Sequence, residues 1–179
     1  EMIYHLVRHA GMPLTALMAE ALLVALTTDT GSFCYSNTGP QQHRIAADLI
    51  DAGASPQRVA RIAYESNSPE SIKMTGAVMS RLRMEAEGRL AWSEIRKSDL
   101  QRHGGHDNVP ENLAGVLRTI RGVRVGMLFH ELPRGSMRIN FRSDGWIDVS
   151  RFADAFGGGG HQCAAGLSLK KVRYEKQRD

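Results

Sequence analysis

Residues 156–166 read Phe-Gly-Gly-Gly-Gly-His-Gln-Cys-Ala-Ala-Gly. Four consecutive glycines, Gly157, Gly158, Gly159 and Gly160, give up much chain entropy on ordering, so such a run needs a reason in a folded protein. The reason read from the residues is close approach. Without Cβ atoms, successive backbone N–H groups can turn toward an anion and form a cradle, and His161 beside them can donate to a phosphate oxygen or carry charge when protonated. A flexible linker is the competing reading, but linkers usually mix in Ser. This run instead has an apolar helix end on one side and a small-residue strand, 164–169, on the other.

Working back from the glycines, Asp148 is placed to cap a short helix ending at Phe156. Residues 137–142 form a strand paired in a hairpin with an upstream strand in which Val123, Val125, Met127 and Phe129 alternate, the pair being joined through Pro133-Arg134-Gly135. On the 137–142 strand a period of two puts Arg138, Asn140 and Arg142 on one face, opposite Met137, Ile139 and Phe141. Arginine offers a planar fork of donors to phosphate; a solvated strand face is the bland alternative. Trp146 and Phe141 can stack on a base, although core packing is the commoner role for each.

The first half is helical in pattern. Thr15 caps a helix with Leu14, Leu17, Met18, Ala21, Leu22 and Ala25 as its expected buried face. This helix runs into Thr27-Thr28-Asp29-Thr30-Gly31-Ser32-Phe33, a polar loop that carries the carboxylate of Asp29 past a rigid element. There it is suited to a hard divalent cation, or simply to a turn. Gly39-Pro40 opens a helix with Ile45, Leu49 and Ile50 inward. Ser55-Pro56 and Ser68-Pro69 are further capped starts, the last helix running to about Glu87 with Ile72, Met79 and Leu82 on one side. Residues 89–95 read as a strand, 101–109 as a polar loop and 110–120 as an amphipathic helix. Helices mixed with a partly antiparallel sheet predict an α/β or α+β fold.

Composition narrows the function classes. Lys plus Arg exceed Asp plus Glu by 23 to 19, an excess too small for a protein that coats nucleic acid, so bound phosphates must be held by a few placed groups. No apolar run approaches the roughly 20 residues of a membrane span. Cys34 and Cys163 lack the spacing of a zinc site or disulfide framework, which fits a reducing cytoplasm. His103, His106 and Asp107 read as surface decoration rather than metal ligands.

TTDTGSF (27–33), NFRSDG (140–145) and FGGGGHQCAAG (156–166) together resemble the DHH phosphoesterases that carry the DHH-associated C-terminal domain. Their order and spacing are most similar to the branch of bifunctional oligoribonucleases and pAp phosphatases, and residues 36–54 resemble it as well. The resemblance implies an α/β fold in four parts. Residues 1–67 would be the C-terminal part of the catalytic domain, 68–87 a linker helix, 88–170 a small mixed-sheet substrate-binding domain and 171–179 a tail. It implies two manganese ions, with Asp29 as one ligand, and a substrate-holding face made by Arg142, Ser143, the four glycines and His161, to which the strand pattern adds Arg138. Short RNA oligonucleotides or pAp are the implied substrates, with no membrane partner and a homodimer as a possible assembly.

The family's Asp-His-His tripeptide and its earlier metal-ligating motifs are absent here. Met stands second, within an apolar helical pattern already under way. The chain therefore reads as the C-terminal portion of a longer enzyme, expected to bind metal poorly and to hydrolyse little alone. Within the family the alternatives are a cyclic-dinucleotide phosphodiesterase, a single-strand exonuclease and an exopolyphosphatase-like enzyme. Outside it they are a nucleic-acid-binding module without chemistry and a dimerisation piece offering the apolar face of helices within residues 2–26.

Overall fold

Among the described residues three helix starts are set by a hydroxyl. Thr15, Ser55 and Ser68 each accept a hydrogen bond from the backbone N–H three residues on, opening α2 (Ala16–Asp29), α4 (Pro56–Tyr64) and α5 (Pro69–Met79). Such caps satisfy one of the orphan donors at a helix start and contribute about 1 kcal/mol each. Residue 1 precedes α1 (Met2–His9), and Gly39 precedes α3 (Pro40–Asp51), where the Gln42 side chain accepts from the Gly39 N–H at 2.8 Å. The computed structural model describes residues 1–105, 109, 110 and 112–170. They fall into two compact units, Glu1–Asn67 and Ser68–Asp179.

The first unit packs α1 to α4 around Tyr4, Ala19, Leu23, Leu26, Ile45, Leu49 and Val59. The Tyr4 hydroxyl donates to the Asp48 carboxylate, and this bond holds the phenol above its ordinary pKa. The inward face of α2 differs from the expected one. Ala19, Leu23 and Leu26 are buried, whereas Leu17 is 81% exposed and Ala21 and Ala25 face solvent. The helix is apolar nearly all round, so periodicity could not select a side. Ile50 is likewise exposed, while Ile45 and Leu49 are buried as expected.

The second unit holds β1 (Arg83–Glu85), β2 (Leu90–Ile95), α6 (Lys97–Arg102), α7 (Leu113–Arg118), β3 (Val125–Leu132), β4 (Ser136–Ser143), α8 (Val149–Asp154), β5 (Gly159–His161) and β6 (Ala164–Leu169). Its six strands run in the order β1-β2-β3-β4-β6-β5. β2 and β3 are parallel, joined through α6 and α7, and every other pair is antiparallel. The mixed α/β fold expected from the sequence is the one observed, and β3–β4 is the expected hairpin. The helix expected to reach Glu87 ends at Met79. Residues 83–85 instead pair with β2, and the chain reverses through Ala86, Glu87 and Gly88, all at positive φ. The inward residues of α5 are Met74 and Val78, with Ile72 exposed.

Both sheet faces are covered, by different helices. On one face Ala91, Ile95 and Leu128 pack with Met74, Val78, Leu100, Leu113, Ala114 and Leu117 of α5, α6 and α7. On the other, Met137, Ile139, Phe141, Ala165 and Leu167 pack against Val149 and Ala153 of α8. The buried Asp99 carboxylate receives Arg81 Nη2 at 2.5 Å and the Arg96 N–H at 2.8 Å, and Ser93 Oγ donates to Val78 O. These bonds fasten α5 to the sheet. Removing one partner of a buried ion pair costs about 3–5 kcal/mol, because the other charge is stranded. The residues from 68 to 79 are thus part of this unit's core rather than a bare connector.

Candidate functional site

On the first face α7 packs on β3 and reaches β4, leaving part of the β4–β6 surface open. Register carries Arg138, Asn140 and Arg142 to that side of the sheet, opposite Ser168, Gly166 and Ala164 of β6. A cleft of about 490 Å³ lies there, lined by these residues and by Gly157, Gly158 and Gly159. Its size falls within the roughly 300–1,000 Å³ of small-ligand sites. Arg142 Nη1 donates to its neighbour's carbonyl, Phe141 O, at 3.1 Å. No ion pair among the described residues engages Arg138 or Arg142. An arginine fork without a carboxylate is a competent anion site, since charge-assisted hydrogen bonds to phosphate are the stronger class. The acid nearest the glycines is Asp154, the last residue of α8.

The glycines work differently from the expected cradle. The N–H groups of Gly157 and Gly158 already bond Asp154 O (3.0 Å) and Ala153 O (2.9 Å), with Gly157 in the left-handed region at φ +73. This is a Schellman end to α8, so two of the four amides are committed to the protein. The missing side chains serve packing. A Cβ at Gly158 would run into Gly166 O and stand 2.6 Å from Leu167 Cβ, and one at Gly160 would meet Ala164 O and Ala165 Cα at 2.5 Å. The run is therefore a helix stop followed by an edge strand laid tightly on β6, and Gly157 to Gly159 become one wall of the cleft. Gly160 and His161 are outside that lining. By register His161 shares the cleft face across Ala164 from Arg142, about 10 Å away at strand spacing.

Ser143, expected among the substrate-holding residues, is buried on the opposite face. Its hydroxyl donates to Gln162 O at 3.2 Å and accepts from the Gly145 N–H at 3.4 Å, so it shapes the turn that follows β4. Ala164 and Gly166 entered the sequence reading only as part of the small-residue strand beside the glycines, and Ser168 was not singled out. The signal for them was the small residues at alternate positions of β6. Phe141 is 2% exposed and belongs to the core, but Trp146 is 80% exposed.

Asp29, in the first unit, ends α2 and is exposed, and its backbone carbonyl accepts from Asn37 Nδ2 at 3.0 Å. The loop beyond it holds Gly31, Ser32 and Phe33 consecutively at φ +54, +58 and +65. Left-handed backbone costs a non-glycine residue about 1–2 kcal/mol, and strain of this kind concentrates at functional loops. The loop is held by Thr30, whose buried hydroxyl donates to Leu26 O (2.7 Å) and accepts from Phe33 N–H (3.1 Å), and by Phe33 stacked on His43. Among the described residues no group of three or more His, Cys, Asp or Glu is arranged to hold a metal. A two-manganese centre needs several oxygen or nitrogen donors, so these residues do not make one by themselves. His103 joins no such group, and His106, Asp107 and the 171–179 tail lie outside the described residues. Among those described, no helix is long and apolar enough to cross a membrane.

Residues 87–179 match the family model of the DHHA1 domain. The bifunctional oligoribonuclease and PAP phosphatase NrnA of Thermus thermophilus is 28% identical over 98% of this chain and 52% of its own length. The protein of the same name from Bacillus subtilis is 29% identical over 94% of this chain and 54% of its own. The chain thus spans about half the length of the curated relatives it matches. A solved exopolyphosphatase-related protein from Bacteroides fragilis superposes with a TM-score of 0.88 at 22% identity, covering 96% of this chain and 51% of that one. At that identity the likeness establishes the fold.

Proposed function

The chain belongs to the DHHA1 domain family, and from that premise we propose that its cleft holds the phosphates of short oligoribonucleotides or of pAp for a manganese-dependent phosphoesterase. The observation that carries the reading is the row of Arg138, Asn140 and Arg142. Among the described residues its two guanidinium groups have no carboxylate partner, and it faces a backbone wall in which Gly158 leaves no room for a side chain. In this reading Arg142 and Arg138 neutralise and orient phosphate oxygens, Asn140 offers a neutral donor between them, and His161 stands at the rim. Bound manganese would supply a water of lowered pKa and charge stabilisation. Asp29 is proposed as one ligand, at the end of α2 where Thr30 and Asn37 fasten the loop that follows. Because the described residues do not complete a metal centre, the contribution proposed for this chain is binding and orientation.

The test is titration of the chain with pApA and with a 20-mer RNA at several salt concentrations. The reading predicts preference for pApA with a shallow salt slope, and at least tenfold weaker binding by Arg142→Ala. A binding module without chemistry, favoured by the single candidate metal ligand, would instead prefer the 20-mer with a steep slope. Free-manganese signal in a spin-resonance titration should be undiminished by the chain alone. Stoichiometric uptake would contradict the reading.

A further inference from the structure

An exposed tryptophan stands at the end of the arginine row. Trp146 lies in the loop after β4, 80% exposed, with the Arg124 guanidinium 4.4 Å from its ring centroid. Arg124 immediately precedes β3. The Asp144 N–H donates to Arg124 O at 3.1 Å, and the two side chains form an ion pair at 3.4 Å. This extends the β3–β4 register by one step beyond Val125↔Ser143, and Gly126↔Arg142 is the next pair along. Alternation then puts Arg124 and Asp144 on the cleft face, about 7 Å, or two strand residues, beyond Arg142.

The loop that carries the ring is fastened at its backbone. The Trp146 N–H donates to Asp144 Oδ1 at 3.0 Å, and Gln162 Nε2 donates to Gly145 O at 2.9 Å, tying the loop to the β5–β6 turn. A large apolar ring left in water forgoes the stabilisation of burial. A cation seated near an aromatic ring instead gives it a fixed, electrostatically polarised platform. Nothing in the core of this unit includes Trp146.

We propose that Trp146, braced by Arg124, is the stacking platform for the nucleobase attached to the phosphate at Arg142. This rests on the cleft being a phosphate site, and it names what the cleft prefers: a phosphate carrying a base over one without. Stacking is sequence-tolerant because every base has a π-face, and it is worth about 1–3 kcal/mol per base by alanine substitution. At tenfold per 1.4 kcal/mol, the middle of that range is a loss of about 30-fold.

The experiment measures dissociation constants of the full chain for pApA and for ribose 5-phosphate, which lacks a base, in wild type, Trp146→Ala, Trp146→Phe and Arg142→Ala. The proposal expects Trp146→Ala to weaken pApA binding by about 30-fold and ribose 5-phosphate binding by less than twofold. Trp146→Phe should recover most of the loss, and Arg142→Ala should weaken both ligands. If Arg142→Ala weakens both ligands while Trp146→Ala alters neither, or alters both equally, the platform is wrong and the phosphate site stands. If Arg142→Ala has no effect, or the wild-type chain binds neither ligand, the phosphate site and the platform fall together.

Discussion

The loop after α2 and the glycine run after α8 both end a helix through left-handed backbone, yet they handle the cost in opposite ways. After α8 the left-handed position is filled by Gly157, the residue that adopts it without penalty, and the adjoining amides close the helix. After α2 the same region of backbone space is occupied by Gly31 and then by Ser32 and Phe33, which have side chains to object. The first arrangement is relaxed and its glycines serve packing. The second keeps strain that a better-fitting residue would remove, as loops that carry function often do. Four glycines draw the eye in the sequence, but the residues in an unfavourable conformation lie at the less conspicuous loop.

The largest effect that would break this contrast is at Gly158. Alanine there collides with Gly166 O and Leu167, so Gly158→Ala should lower unfolding free energy by about 3 kcal/mol, read from urea midpoints. A neutral result would mean that the run is the loose segment the structure denies. Next comes Arg142→Ala, which should cost about 2 kcal/mol of pApA binding by calorimetry while leaving the fold intact, as expected for one charge-assisted contact. At the other loop the sign reverses. Ser32→Gly should stabilise the chain by about 0.5 kcal/mol, relief of strain outweighing the added chain entropy and the loss of the exposed Ser32–Tyr64 hydroxyl contact. In the same assay Asp29→Ala should change stability by less than about 0.5 kcal/mol. Installed in a complete, active enzyme, Asp29→Ala should abolish turnover with manganese.

The smallest effect concerns the start of α8, whose end the glycines form. The Asp148 carboxyl is held below its ordinary pKa, chiefly by the hydrogen bond from Ser150 and against a smaller opposing effect of burial. A depressed carboxylate stabilises the fold above its unfolded pKa and loses that contribution as pH falls through the folded value. The Asp148→Asn variant should therefore show a slightly flatter acid limb in its melting temperature against pH. An unchanged limb would remove Asp148 from the account of α8.

Much of the fold was legible because it depends on local chemistry. Thr15, Ser55, Ser68 and Asp148 announce helix starts that the structure contains, and Pro133-Arg134-Gly135 announces the hairpin. The alternation that separated Arg138 and Arg142 from Ile139 and Phe141 is a backbone property and carried over intact. What could not be read depends on distant parts of the chain. The inward side of α2 is chosen by its neighbours, since the helix is apolar nearly all round. Residues 83–85 leave the helical pattern because β2 offers them a ladder. The glycines looked like an anion cradle because the sequence shows missing side chains but not what presses into the space. Here that is β6 on one side, while the carbonyl end of α8 claims the amides. Ser143 was grouped with the binding residues by the motif around it, and its burial follows from the odd–even step that puts it opposite Arg142.

The claim on which the rest depends is that phosphate meets the cleft face of β4 and β6 beside the glycine wall. Backbone chemical-shift mapping of the labelled chain with pApA tests it most directly. The account predicts the largest perturbations at Arg138, Arg142, Gly159, Gly166 and Ser168, with Trp146 moving as well. Perturbations gathered on α8 or on the first unit, with those residues still, would contradict it.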